Sequence, residues 1–196
     1  MGWFIKFWEF VWLRGIKNWW SKVWWCRKTK VSSEPVYEIN DTTMMGVVRE
    51  LYYGFDWKMD GVGDGFDTYA PAQWAYNQMY NYVEGKTTEK YEDDCDSFHA
   101  GILHLLQENG YDTALITLAT IPITKSHTMT TFRKKLGDDT YDYYVINYTC
   151  CLGPYDNLQD FVDNYGTPVR FWCVQKYNFE KGKYYNIDKE WGGVEK

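Results

Sequence analysis

Apolar side chains recur at positions 3, 4, 7, 8, 11, 12, 16, 19, 20, 23 and 24, close to the i, i+3, i+4, i+7 spacing of one helical face. Lys6, Arg14, Lys17, Asn18, Ser21 and Lys22 fall mostly on the other face. The pattern predicts an amphipathic helix over residues 1–28, with Gly15 marking a bend. Its uncharged runs, such as Phe10 to Leu13, are too short to span a bilayer, and no small-residue cleavage site follows. Residues 29–35 read as a linker, and 36–196 as one domain.

Within that domain the periodicity changes. A helix is expected from about Thr42 to Tyr53, capped by Asp41 and closed by Gly54, with Met45, Val48 and Tyr52 on one side. Residues 54–70 read as a Gly/Asp loop, where Asp60, Asp64 and Gly65 miss the ligand pattern of a calcium loop. Pro71 suits the first turn of a helix running to Val83 and ending at Gly85. Asp94 to Asn109 forms the next helix, with Phe98, Ile102, Leu105 and Leu106 as its buried stripe. Strand patterns follow at Tyr111–Ile121, His127–Lys135 and Tyr141–Cys150. A short helix is expected at Leu158–Tyr165, and a hairpin of Val169–Asn178 with Lys183–Ile187. Helices followed by an antiparallel sheet make an α+β domain.

Charge divides the chain. The net charge is −6, yet residues 1–30 hold seven basic side chains and one acid. The acidic body argues against nucleic acid as a partner. The basic head carries seven of the eleven tryptophans. Trp3, Trp8, Trp12, Trp19, Trp20 and Trp24 would sink to headgroup depth on an anionic membrane while Lys and Arg meet the lipid charge. A helix packed on its own domain or on a partner chain is the alternative. Cys26, Cys95, Cys150, Cys151 and Cys173 are odd in number and contain no CxxC pair, so neither a disulfide framework nor a four-cysteine zinc site is expected. A reducing compartment fits: cytoplasmic, peripheral at a membrane, or virion-associated for a phage protein. Low alanine with abundant Tyr, Asn and Lys suits an AT-rich bacterial or phage genome.

The chemistry concentrates at Tyr91-Glu92-Asp93-Asp94-Cys95-Asp96-Ser97-Phe98-His99-Ala100. Cys95 opens a helix, at the positive end of its dipole, which favours thiolate. His127 begins one strand and Asn147 lies on the next. A turn centred on Gly137 would set Arg133 opposite Tyr141, Met129 opposite Val145 and His127 opposite Asn147, within side-chain reach. Cysteine, histidine and asparagine are then nucleophile, base and the group that orients the base. The Cys95 backbone N–H is an oxyanion donor, with Gln73 as a candidate for a second. Asp93, Asp94 and Asp96 oppose thiolate formation. Asp94 is expected to cap the helix and Asp96 to point toward solvent or a basic substrate. Asp94, Asp96 and Trp74 are the candidate cleft residues. A metal reading would use Cys95 and His99 one turn apart with His127 and His104, but His99 and His104 diverge on a helix. No metal or cofactor is expected.

Asp-Asp-Cys-Asp-Ser-Phe-His-Ala resembles the cysteine signature of transglutaminase-like cysteine peptidases, which have a papain-like fold. Lys125-Ser126-His127-Thr128 resembles that family's histidine motif, Tyr144-Val145-Ile146-Asn147 its third motif, and Asp67-Thr-Tyr-Ala-Pro71 the segment before the cysteine helix in bacterial and phage members. The likeness covers about residues 56–166. Asp93 stands where Gly is usual, Ser97 replaces an acid, no Ala follows His127, and the third residue is Asn. The resemblance implies a thiol hydrolase cleaving a peptide, isopeptide or other amide bond of a peptide or protein substrate through a thioester. Protein-glutamine acyl transfer shares the first half-reaction. A non-catalytic membrane- or protein-binding module on a degenerate fold of this type is the competing expectation.

Overall fold

The computed structural model describes residues 34–58, 70–122, 125–187 and 191. The expected amphipathic helix, most of the linker and the loop carrying Asp60, Asp64 and Gly65 lie outside these residues. Described in chain order are α1 (Met44–Tyr53), β1 (Phe55–Trp57), α2 (Ala72–Val83), β2 (Tyr91–Asp93), α3 (Cys95–Glu108), β3 (Asp112–Thr120), β4 (His127–Lys135), β5 (Tyr141–Asn147), β6 (Cys150–Tyr155), α4 (Leu158–Asp163), β7 (Val169–Asn178) and β8 (Lys183–Ile187).

The architecture is α+β. Six strands form one antiparallel sheet in the order β6-β5-β4-β3-β7-β8, and β1 and β2 form a separate parallel pair. Strand periodicity divides the core. Leu115, Phe132 and Ile146 join α1, α2 and α3 in one cluster. Ala114, Ile116, Leu118, Met129 and Val145 join Leu158, Phe161 and Val162 of α4 in the other. Central β3 is buried on both faces, so its sequence reads as a continuous apolar run.

Helix α3 packs against α2 and against strands β3 and β4 of the sheet. Its expected stripe of Phe98, Ile102, Leu105 and Leu106 is fully buried, each side chain contributing about 1.5–3 kcal/mol. Burial also extends round the helix, and every residue from 96 to 106 is buried. Gly101 permits this: a Cβ there would lie 3.0 Å from the Tyr76 backbone nitrogen and 3.2 Å from its Cα.

Several expectations change. Asp41 does not cap α1: the cap position is Thr43, without a side-chain cap bond, and Asn40 closes the preceding turn, its Oδ1 accepting from Thr42 N–H at 2.9 Å and Thr43 N–H at 3.1 Å. Asp41 is drawn instead to Lys134 Nζ at 2.8 Å and the Tyr111 hydroxyl at 3.0 Å. Part of the expected loop after Gly54 is strand β1, which runs beside β2 with Trp57 paired to Asp93. The expected single strand Tyr141–Cys150 is broken after Asn147. Tyr148 adopts a positive φ of 50° and the chain reverses, pairing Asn147 with Cys150.

Candidate active site

Cys95 is the first residue of α3 and half-buried. Strand β2 delivers it. Asp93 Oδ1 accepts the Asp94 N–H at 2.9 Å, and Asp94, in extended conformation, caps the helix by accepting the Asp96 N–H at 3.0 Å. The expected cap is therefore in place, and Cys95 sits at the positive helix end. Asp96 departs from expectation: it is 2% exposed and turned into the protein rather than toward solvent. The Ser97 hydroxyl donates to its Oδ1 at 3.4 Å. Because residues 96–106 are all enclosed, the face carrying Asp96 has no solvent to meet.

Trp74, in the first turn of α2, packs edge-on against Tyr91 of β2 at 5.1 Å between ring centres. This contact sets Trp74 beside β2, the strand that leads into Cys95. Gln73 beside it is half-buried, and among the described residues no hydrogen bond links it to the Cys95 segment.

His127 Nε2 and Asn147 Oδ1 are 2.9 Å apart. An amide oxygen only accepts, so Nε2–H donates and Nδ1 carries the lone pair. The register that brings them together is not the expected one. Observed pairs are Lys135 with Tyr141, Arg133 with Tyr143 and Thr130 with Ile146. Extended to the strand end, this register makes His127 and Asn147 diagonal rather than opposed, a separation of about 7–8 Å between Cα atoms that two side chains of this length bridge. The turn at Tyr148 ends the β4–β5 ladder and holds Asn147 there.

Tyr148 is a site residue the sequence did not point to. Its ring lies 5.3 Å from that of His127, 5.2 Å from His99 and 5.5 Å from Phe98. Burial raises its hydroxyl pKa, and the neighbouring Cys95 and Asp94 raise it further. Cys95 also helps burial to raise the Tyr165 hydroxyl. Tyr148 thus packs on His127, and the charges of Cys95 and Asp94 reach its hydroxyl. Burial lowers the His127 pKa, and the Asn147 hydrogen bond partly opposes this. A half-buried thiol at a helix start and an imidazole oriented by an amide are the groups that proton transfer and nucleophilic attack need.

Among the described residues, no three His, Cys, Asp or Glu side chains converge to hold a metal ion. His104 is remote in role: it packs between Tyr76 and Phe179 at 5.3 and 5.1 Å. Exposed Cys150 and Cys151 lie on edge strand β6. No described helix is long and apolar enough to cross a membrane. Compared with known proteins, the chain matches no family model and no curated protein.

Proposed function

We propose that this protein is a cysteine hydrolase of transglutaminase-like type that cleaves an amide, peptide or isopeptide bond. The observation that carries the reading is the 2.9 Å hydrogen bond from His127 to Asn147, together with a half-buried thiol at the start of α3. The order Cys, His, Asn, with the thiol on a helix ahead of an antiparallel sheet, is also what a papain-like arrangement requires.

The mechanism follows from the tautomer. With Nε2–H held by Asn147, His127 Nδ1 accepts the proton of the Cys95 thiol. The sulfur attacks the carbonyl carbon, a C–S bond forms, and the oxyanion is held by the Cys95 N–H at the helix start. His127 returns its proton to the departing amine as the C–N bond breaks, leaving a thioester. Water, deprotonated by His127, then releases the acid and frees the thiol. An amine in place of water gives acyl transfer.

One observation favours the non-catalytic reading: three aspartates near the sulfur, one of them buried, oppose a thiolate. The pH dependence of iodoacetamide labelling at Cys95, read by mass spectrometry in the wild type and in His127→Ala, decides between them. Catalysis requires a labelling midpoint well below about 8.5 that is lost in the variant. A midpoint at or above that value in both proteins would leave a binding module.

The same proposal places the enzyme on an anionic membrane surface through residues 1–28. Replacing Trp3, Trp8, Trp12, Trp19, Trp20 and Trp24 by Ser should abolish co-sedimentation with phosphatidylserine vesicles while thermal unfolding of the body is unchanged. A lowered unfolding temperature with intact vesicle binding would assign the segment to the core.

A further inference from the structure

One turn along α3 from the thiol lies a second histidine that the mechanism does not use. His99 is fully buried. Its Nδ1 accepts the Thr130 backbone N–H at 3.1 Å, and the Thr130 hydroxyl donates to the His99 carbonyl at 2.9 Å. With that hydroxyl proton committed and Nδ1 receiving a backbone donor, the His99 proton resides on Nε2. This N–H is buried without a hydrogen-bond partner. A buried donor left unmatched is uncommon and asks for a reason.

The rings beside it supply one. His99 stands edge to face with His127, 5.7 Å between centres and 80° between planes. It leans on Tyr148 at 5.2 Å and 49°, and Tyr148 leans on His127 at 5.3 Å and 31°. The three rings are in mutual contact, and His127 has no other histidine beside it.

We infer that His99 is a positioning residue for His127, a ring fixed by Thr130 as the Nε2–H tautomer that holds the His127 imidazole in the plane its bond to Asn147 requires. This rests on the proposed function and extends it. The tethering matters for charge as well as for orientation. Protonating His99 would cost the Thr130 N–H bond and set a second cation beside an imidazolium. Burial and His127 accordingly hold the His99 pKa well below its ordinary value. His127 therefore takes up the thiol proton facing a neutral neighbour. Other titratable groups whose charge reaches Tyr148 or Tyr165 are Cys95 at the start of α3, its cap Asp94, and Tyr52.

The test is the Cys95 labelling profile against pH in the full chain, for the wild type, His127→Ala, His99→Asn and His99→Phe, with thermal unfolding of each. Asparagine keeps an acceptor for Thr130 but has no ring, whereas phenylalanine keeps a ring and loses the acceptor. His99→Asn should raise the labelling midpoint by about one pH unit, near tenfold slower labelling below it, and His99→Phe should recover part of that shift. A folded His99→Asn with an unmoved midpoint, in a series where His127→Ala does move it, overturns the inference alone. A wild-type midpoint indifferent to His127→Ala overturns the proposed function, and this inference with it. Should His99→Asn not fold, the imidazole ¹⁵N spectrum of the wild type decides: His99 must remain the neutral Nε2–H form while His127 titrates, and protonation of His99 first overturns the assignment.

Discussion

At the scale of single residues the candidate site depends on which atom each group presents. Asn147 presents Oδ1 to His127, and this fixes which imidazole nitrogen is basic. Asn147→Ala should leave the thiol in place but free the tautomer, so hydrolysis of a cleavable amide should fall about 10²-fold or more with a smaller change in labelling. Unchanged turnover would remove Asn147 from the site. The sequence pointed to Cys95 and His127 because each opens an expected element, and to Asn147 because hairpin spacing carries it back toward His127. It hid Asp96 and Tyr148. A charged residue beside a helix start is exposed by default, and only the enclosure of α3 by two layers buries Asp96. A tyrosine at positive φ has no local signal at all, since the usual occupants of that conformation are Gly and Asn.

At the scale of elements, punctuation was the better guide where it was strong. Pro71 and Gly85 bracket α2, and the turn around Gly182, at φ 58°, joins β7 to β8 with the expected bounds. Where it was weak, boundaries failed. Strands β1 and β2 have three residues each, too few to display a period, and are held by pairing to each other. The reversal after Asn147 lacks the Asn-Gly or Asp-Gly dipeptide that announces a hairpin. Asp41 does not serve as a cap because Lys134 and Tyr111 engage its carboxylate. The α2–α3 contact yields a prediction of its own. Gly101→Ala would press a methyl onto the Tyr76 backbone and the Met79 methyl, so it should cost about 1–3 kcal/mol in unfolding free energy, measured by urea titration. Little or no loss would mean that the two helices can separate without affecting the core.

At the scale of the molecule, all three histidines are buried or half-buried, and burial lowers the pKa of each. A folded pKa below the unfolded value means that the folded state takes up fewer protons. The corresponding stability is present above about pH 6.5 and drains away as the pH falls toward the folded values. His104, lowered to about 4, should alone account for on the order of 3 kcal/mol across that window. His104→Phe keeps the packing against Tyr76 and Phe179 and removes the titration. Its unfolding temperature should therefore drop less between pH 7 and pH 4.5 than that of the wild type; equal drops would assign the acid sensitivity to other groups. The order of the elements has a further consequence for how the chain is made. Helix α3 precedes every strand of the six-stranded sheet. A chain leaving the ribosome exposes Cys95 first, His127 later and Asn147 last, so under the proposed mechanism the nascent thiol has neither base nor orienting amide. The reactivity proposed for all three would begin only when the sheet has closed over α3, and until then the growing protein carries a cysteine with no more than ordinary thiol chemistry.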